Sequence, residues 1–265
     1  MKIVKKTGIV AFWLLVWQLL AIIIHNKILL AGPAESLNAL IQMAKTPDFS
    51  TSVVTSMLHI VAGVVIGCVL GIVLGAIALK YKIVGEFLSP VVTTVKSVPV
   101  ASFVVLILIW IGSDNLSTVI VALVVFPILY LATTNGLSAA DDKLLEMAHV
   151  YRMPSANKIR YIYFPALIPS YMSAISVAVG MGFKSGAAAE VIGQPLLTMG
   201  NGLYRSKINL DTAEVFAWTF TIVLASFIVE KIFIMIISII KKLFVPASAN
   251  NQAVNSKDEE VQDDN

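Results

Sequence analysis

The stretch VVTSMLHIVAGVVIGCVLGIVLGAIAL, residues 53–79, contains no Asp, Glu, Lys or Arg. A helix crosses the hydrocarbon core of a bilayer with about 20 apolar residues, so this run is long enough to span. Backbone polar groups in lipid must be satisfied within the protein, which leaves helices and closed barrels as spanning structures. The run lacks the period-2 alternation of a barrel strand and therefore reads as a helix. Gly63, Gly67, Gly71 and Gly75 recur every fourth position. At helical spacing they make a stripe without side chains, along which a second helix can approach closely. The stripe favours static packing over a sliding surface, although the same geometry would serve either.

The rest of the chain has the same character. Of its 265 residues, 58% are hydrophobic and 13% are charged, and mean hydropathy is +0.87. A soluble domain carries about 25% charged residues. An all-α, polytopic membrane protein of about six spans is expected. The spans fall near Gly8–Ile24, Val53–Leu79, Val98–Ile111, Leu116–Thr134, Ala166–Ile192 and Ala213–Leu243. The third is short in its uninterrupted part and is expected to begin near Ser89, continuing across Pro90 and Pro99.

Cations orient the set. With the N-terminus inside, the inner face receives Lys2, Lys5, Lys6, Lys80, Lys82, Lys143, Arg152, Lys158, Arg160, Lys241 and Lys242. The outer loops receive only Lys27, Lys45, Arg205 and Lys207, so the positive-inside rule puts both termini in the cytoplasm. Residues 1–244 read as one transmembrane domain. Residues 245–265 are polar and end acidic, and are expected to be a disordered cytoplasmic tail. The run after Lys2, Lys5 and Lys6 lacks a small-residue cleavage pattern and reads as a span rather than a cleaved signal. The single cysteine, Cys68, lies within a span and reads as a small packing residue.

Two ionisable residues stand inside the fifth span, SVAVGMGFKSGAAAEVIGQP: Lys184 and Glu190. Charges at membrane depth are costly and mark pathways or structural pairs. Both are candidates for the translocation pathway. Six residues apart, they are turned ~120° from in line with ~9 Å of rise, so they are not expected to pair directly. Glu214, Glu230 and Lys231 of the last span carry the same ambiguity. No soluble-enzyme constellation appears. His25, His59 and His149 are scattered without metal-ligand spacing, and no phosphate-binding GxxxxGK[ST] occurs. The chain is expected to be no enzyme, to hold no cofactor or metal and to bind no nucleic acid.

Between the fourth and fifth spans lies SAADDKLLEMAHVYRMPSANKIRYIYFPALIP, residues 138–169. Ser138 followed by Asp141 suits a helix cap, and Asp141 and Asp142 suit a helix N-terminus. Leu144, Met147, Ala148 and Tyr151 share a helical face. Pro154 disfavours helix at Met153, so the chain should turn there. A second short helix then runs until Pro165 and Pro169 interrupt it. The segment at about 138–165 reads as a cationic helix–turn–helix elbow, suited to a cleft in a cytosolic partner or to anionic headgroups.

The elbow resembles the cytoplasmic loop motif of bacterial ABC importer permeases: Glu-Ala-Ala, three residues, Gly, nine residues, Ile, one residue, Leu-Pro. This chain has Glu146-Met147-Ala148, then Arg152, then Ile162, Tyr163, Phe164 and Pro165 at the same spacing. SMLHIVAGVVIGCVLGIVLG, VKSVPVASFVVLILIWIGS and SGAAAEVIG are similar to runs of the nitrate, sulfonate, taurine and bicarbonate permease group. The resemblance implies the type I importer fold, assembly as a homodimer and location in the bacterial inner membrane. It also implies a substrate-binding protein outside and two ATPase subunits inside, which carry the ATP and Mg. Glu146, Ala148, Arg152, Ile162 and Pro165 would then form the ATPase-coupling element. Arg152 replaces the motif glycine, so either it takes the left-handed conformation or Met153-Pro154 turns the chain differently. The implied solute is small and anionic, such as a sulfonate or nitrate. The alternatives are a permease for a thiamine precursor or riboflavin, and an ion-gradient-driven secondary transporter.

Overall fold

A computed structural model describes residues 2–26 and 28–244, and the expected tail at 245–265 lies outside the described residues. Eleven α-helices and one π-helical segment follow in order, with no strand among the described residues. They are α1 (Lys2–Ile24), α2 (Pro33–Met43), α3 (Pro47–Lys80), α4 (Lys82–Ser97), α5 (Val100–Ile111) and α6 (Leu116–Ser138). After these come α7 (Asp142–Val150), α8 (Ser155–Lys158), the π-helical segment Ile159–Tyr163, α9 (Phe164–Gly193), α10 (Met199–Ile208) and α11 (Thr212–Phe244). Five helical stretches are long and apolar enough to cross a membrane, and α4 with α5 makes a sixth if counted as one broken span.

That break corrects the expected third span. Val98 (φ −75°, ψ 133°) and Pro99 (φ −57°, ψ 131°) are both extended, so α4 ends before α5 begins. A residue before proline is pushed out of the α region. Pro90 and Pro127, by contrast, lie inside α4 and α6.

The helices pack into two compact units whose boundaries cut across α3, α6, α9 and α11. The first holds the chain up to Gly63, 99–121 and 182–227; the second holds 64–98, 122–181 and 228 onward. In the first unit the Trp17 indole of α1 lies 5.0 Å from the Phe216 ring of α11 and donates to the Ala31 carbonyl. Glycine sets the helix contacts here. A Cβ on Gly63 would lie 2.5 Å from the Thr118 carbonyl oxygen of α6, and one on Gly186 of α9 would lie 2.8 Å from Ile60 of α3.

In the second unit the other three stripe glycines lie against α6. A Cβ on Gly67 would lie 2.8 Å from Val125 Cβ, on Gly71 2.6 Å from Leu129 Cβ, and on Gly75 2.7 Å from Thr133 Cβ. These separations are far below van der Waals contact, so α3 and α6 touch backbone to backbone along the stripe. The fully buried Thr133 hydroxyl donates to the Leu129 carbonyl at 2.7 Å, reaches the Gly71 carbonyl at 3.3 Å and bonds to the Tyr171 hydroxyl of α9. Between helices in lipid, where burial of apolar surface gives no net drive, close packing and such bonds hold the bundle. Ser176 of α9 likewise donates to the Glu230 carboxylate of α11.

Candidate functional site: an exposed elbow and a buried carboxyl

The elbow belongs to the second unit. Asp141 caps α7, its side chain accepting from Lys143 N–H at 2.9 Å, while Ser138 ends α6. The cap therefore sits three residues later than the spacing of Ser138 and Asp141 suggests, because α6 continues through Ser138.

The C-terminus of α7 closes in two backbone bonds. Met153 N–H donates to the Ala148 carbonyl at 2.9 Å, and Arg152 N–H donates to the His149 carbonyl at 3.1 Å. This is the paired arrangement in which a helix ends on a left-handed residue, most often glycine. The left-handed residue is Arg152, at φ 49°. The position where the motif has glycine is thus the position that requires a positive φ. Arg152 adopts it at a cost of about 1 kcal/mol relative to glycine.

Beyond the turn the expected interruption does not occur. Pro165 and Pro169 lie inside α9, which runs on to Gly193. Helix bonding widens just before Pro165: Phe164 N–H reaches back five residues to the Ile159 carbonyl. A proline has no N–H and crowds the preceding turn, and a π-type widening accommodates it without ending the helix.

The motif residues divide by exposure. Ala148 is fully buried and Ile162 nearly so, whereas Glu146 and Arg152 are exposed and Pro165 is half-buried. The face that joins Leu144, Met147, Ala148 and Tyr151 is only partly covered. Ala148 is packed, while Met147, Val150 and Tyr151 stand out, Val150 and Tyr151 at 75% and 77% exposure. The tip therefore presents apolar groups beside a carboxylate and a guanidinium, held by a turn whose backbone is fixed.

In the first unit, Lys184 and Glu190 have opposite surroundings. Lys184 is exposed and makes no ion pair or hydrogen bond among the described residues. Glu190 is fully buried. Its Oε2 accepts from Ser56 Oγ of α3 at 2.7 Å and from Gly200 N–H of α10 at 3.0 Å. Ser56 Oγ in turn accepts from Met199 N–H at 2.8 Å, and the Thr198 hydroxyl accepts from Asn201 N–H. The first three N–H groups of α10, which a helix cannot satisfy internally, are all taken by side chains. A carboxylate at this helix end also meets the positive pole of the helix dipole. Gly200 makes the approach possible, since a Cβ there would lie 2.3 Å from Glu190 Cβ. Ser117 of α6 adjoins the same carboxyl, but Ser117 Oγ and Glu190 Oε1 complete no hydrogen bond among the described residues.

Glu190 thus ties α3, α9 and α10 together, 134 residues from Ser56 in sequence. Ser56, Ser117 and Gly200 carry no local pattern that would single them out. Thr198 does, as a hydroxyl residue just before a short helical run.

Over residues 48–249 the chain matches the family described as the inner membrane component of binding-protein-dependent transport systems. The chain belongs to this family. A putative ABC transporter permease of Methanocaldococcus jannaschii is 24% identical over 197 residues, covering 72% of this chain and 73% of the relative. A putative aliphatic sulfonates transport permease of Bacillus subtilis is 29% identical over 108 residues, 40% of this chain and 39% of that protein. A probable ABC transporter permease of Brucella melitensis is 21% identical over 217 residues, 82% of this chain and 87% of the relative. The protein is a multi-pass ABC transporter permease of the type I importer class, a membrane component of systems that depend on a binding protein. The family places the permease among plasma-membrane proteins.

Proposed function

We propose that this permease is the membrane subunit of an ATP-driven importer, and that its elbow is the element through which a separate cytosolic ATPase drives it. The observation that carries the reading is the construction of the elbow. Ala148 and Ile162 are packed away and the turn at Arg152 is fixed by two backbone bonds. The tip leaves Glu146, Met147, Val150 and Tyr151 outward. Apolar groups flanked by charge on a rigid turn suit a cleft in a protein partner. On this reading both termini and the elbow are cytoplasmic, the protein acts as a homodimer, and ATP and Mg are bound by the partner. Lys184, exposed on a slim helix, faces the translocation route and favours an anionic solute. A small sulfonate leads, in line with the name of the Bacillus subtilis relative, and a thiamine precursor or riboflavin remains an outcome of the assay.

Glu146→Lys tests the coupling role. In proteoliposomes holding the permease, its ATPase and its binding protein, the variant should insert normally yet lose ATPase binding, or hydrolyse ATP without uptake. Wild-type hydrolysis together with wild-type uptake would refute the assignment. Binding assays on the partner binding protein identify the solute.

A further inference from the structure

The first unit contains a cavity of about 520 Å³ between the starts of α3 and α11 and the length of α10. Small-molecule sites fall at about 300–1,000 Å³. Two of its lining side chains are more than nine-tenths buried and hold oxygen atoms without a protein partner. Ser52 is 6% exposed and its hydroxyl makes no hydrogen bond among the described residues. Asn201 is 8% exposed; its amide nitrogen donates to the Gln194 carbonyl, but its Oδ1 accepts nothing among the described residues. Neither oxygen is among the sealed, unpartnered atoms of the described residues, which are His59 Nδ1, Ser117 Oγ and Glu190 Oε1. Both therefore open onto the cavity.

Charge completes the lining. Asp48 from the first turn of α3, Glu214 from the first turn of α11 and Arg205 from α10 line the same space. Glu214 spends one oxygen on the Ser206 hydroxyl at 2.8 Å, and its other oxygen accepts no hydrogen bond among the described residues. Arg205 forms no ion pair with either acid among the described residues, so charges of both signs line one cavity without pairing. The wall that carries Arg205 and Asn201 is set in place by the Glu190–Ser56 cap of α10. Ser52 lies one turn before Ser56 on α3.

We propose that this cavity is a binding site for a small zwitterion. Its ammonium group would lie at Glu214 and Asp48, its acid group at Arg205, and its polar body against Ser52 and Asn201. A neutral solute leaves the separated charges unanswered, and a singly charged one answers only one side. The site lies wholly within one unit and does not depend on which way the permease transports.

The test uses the full chain in nanodiscs without nucleotide, titrated calorimetrically with ω-amino acids from β-alanine to 6-aminohexanoate. Alkyl carboxylates and alkylamines of matched length serve as controls. The expected result is saturable binding of the zwitterions with an optimum at one chain length, and much weaker binding of either control. Arg205→Gln and Glu214→Gln should each weaken that binding by about tenfold or more, with unliganded thermal stability unchanged. Gln at 214 keeps an acceptor for Ser206, and Arg205 is exposed, so at least the Arg205 variant reports on binding alone. Three results overturn the proposal: no saturable binding up to ~10 mM, equal binding of a singly charged control, or binding indifferent to both substitutions.

Discussion

Gly71→Ala and Gly180→Ala make the same chemical change at two helical positions of the second unit, and the structure assigns them different outcomes. At Gly71 the new Cβ would lie 2.6 Å from Leu129 Cβ, 2.8 Å from Tyr130 N and 2.9 Å from Leu129 C. The nearest atoms are backbone or attached directly to it, so no rotamer change relieves the clash. Carbon atoms sit comfortably at about 3.5 Å or more, so α3 and α6 must part by roughly 0.9 Å. Parting also stretches the Thr133 contact to the Gly71 carbonyl, already 3.3 Å long. Overpacking of this kind costs about 1–3 kcal/mol. At Gly180 nothing lies within 4 Å of the added carbon. Both variants gain up to about 1 kcal/mol of helix propensity, which cancels when they are compared. Gly71→Ala should therefore be less stable than Gly180→Ala by about 1–3 kcal/mol, read from denaturant unfolding in mixed micelles. A difference below about 0.5 kcal/mol, the scatter of surface substitutions, would refute the backbone-contact account.

Arg152→Gly removes the left-handed strain at the elbow and should stabilise that turn by about 1 kcal/mol. Hydrogen exchange at the Arg152 and Met153 amides should slow about fivefold, and unchanged exchange would mean that the turn stores no such strain. Glu190→Ala leaves Gly200 N–H and Ser56 without their acceptor and should destabilise the protein by about 2–4 kcal/mol. Glu190→Gln keeps an oxygen in place and should retain most of that stability; equal losses in thermal unfolding would show that packing, not the acceptor, matters. Lys184→Met should leave assembly and stability within about 0.5 kcal/mol, because the side chain is exposed and has no partner among the described residues. If the solute is an anion, uptake should fall in that variant, and loss of assembly instead would point to a structural partner for Lys184.

Five spans are legible from hydropathy, because a membrane selects continuous apolar length and a sequence records length directly. The third is misread as continuous. Pro90, Pro99, Pro127, Pro165 and Pro169 look alike in the sequence, yet four of them lie within helices and only Val98-Pro99 breaks one. What decides is whether neighbouring turns can widen or take up the lost bond, as the π-helical segment does before Pro165. The cap of α7 is misplaced for a related reason: Ser138 and Asp141 are both competent caps, and the choice rests on how far α6 extends.

Local chemistry also makes the elbow and the glycine stripe visible, since motif spacing and a four-residue period are properties of neighbours in the chain. The glycine at the motif's turn position is a record of backbone conformation. That is why Arg152 could be marked in advance as the residue that either bears a positive φ or displaces the turn. The bonds at Arg152 and Met153 decide between the two.

Glu190 and Lys184 show where the chain alone stops. Both are ionisable residues in one slim helix, and helical geometry separates their directions. Nothing in that geometry says that one meets lipid or water and the other meets Ser56 and the first amides of α10. Ser52, Asn201, Asp48 and Arg205 likewise carry no mark in the sequence, and Glu214 stands there only as one more ionisable residue of the last span; that they line one cavity is a tertiary fact. Hydropathy, period and turn chemistry act between residues a few positions apart, so the sequence by itself determined five of the spans, the elbow and the stripe. The partner of a buried carboxyl and the lining of a cavity are contacts between distant segments, and those only the tertiary structure decided.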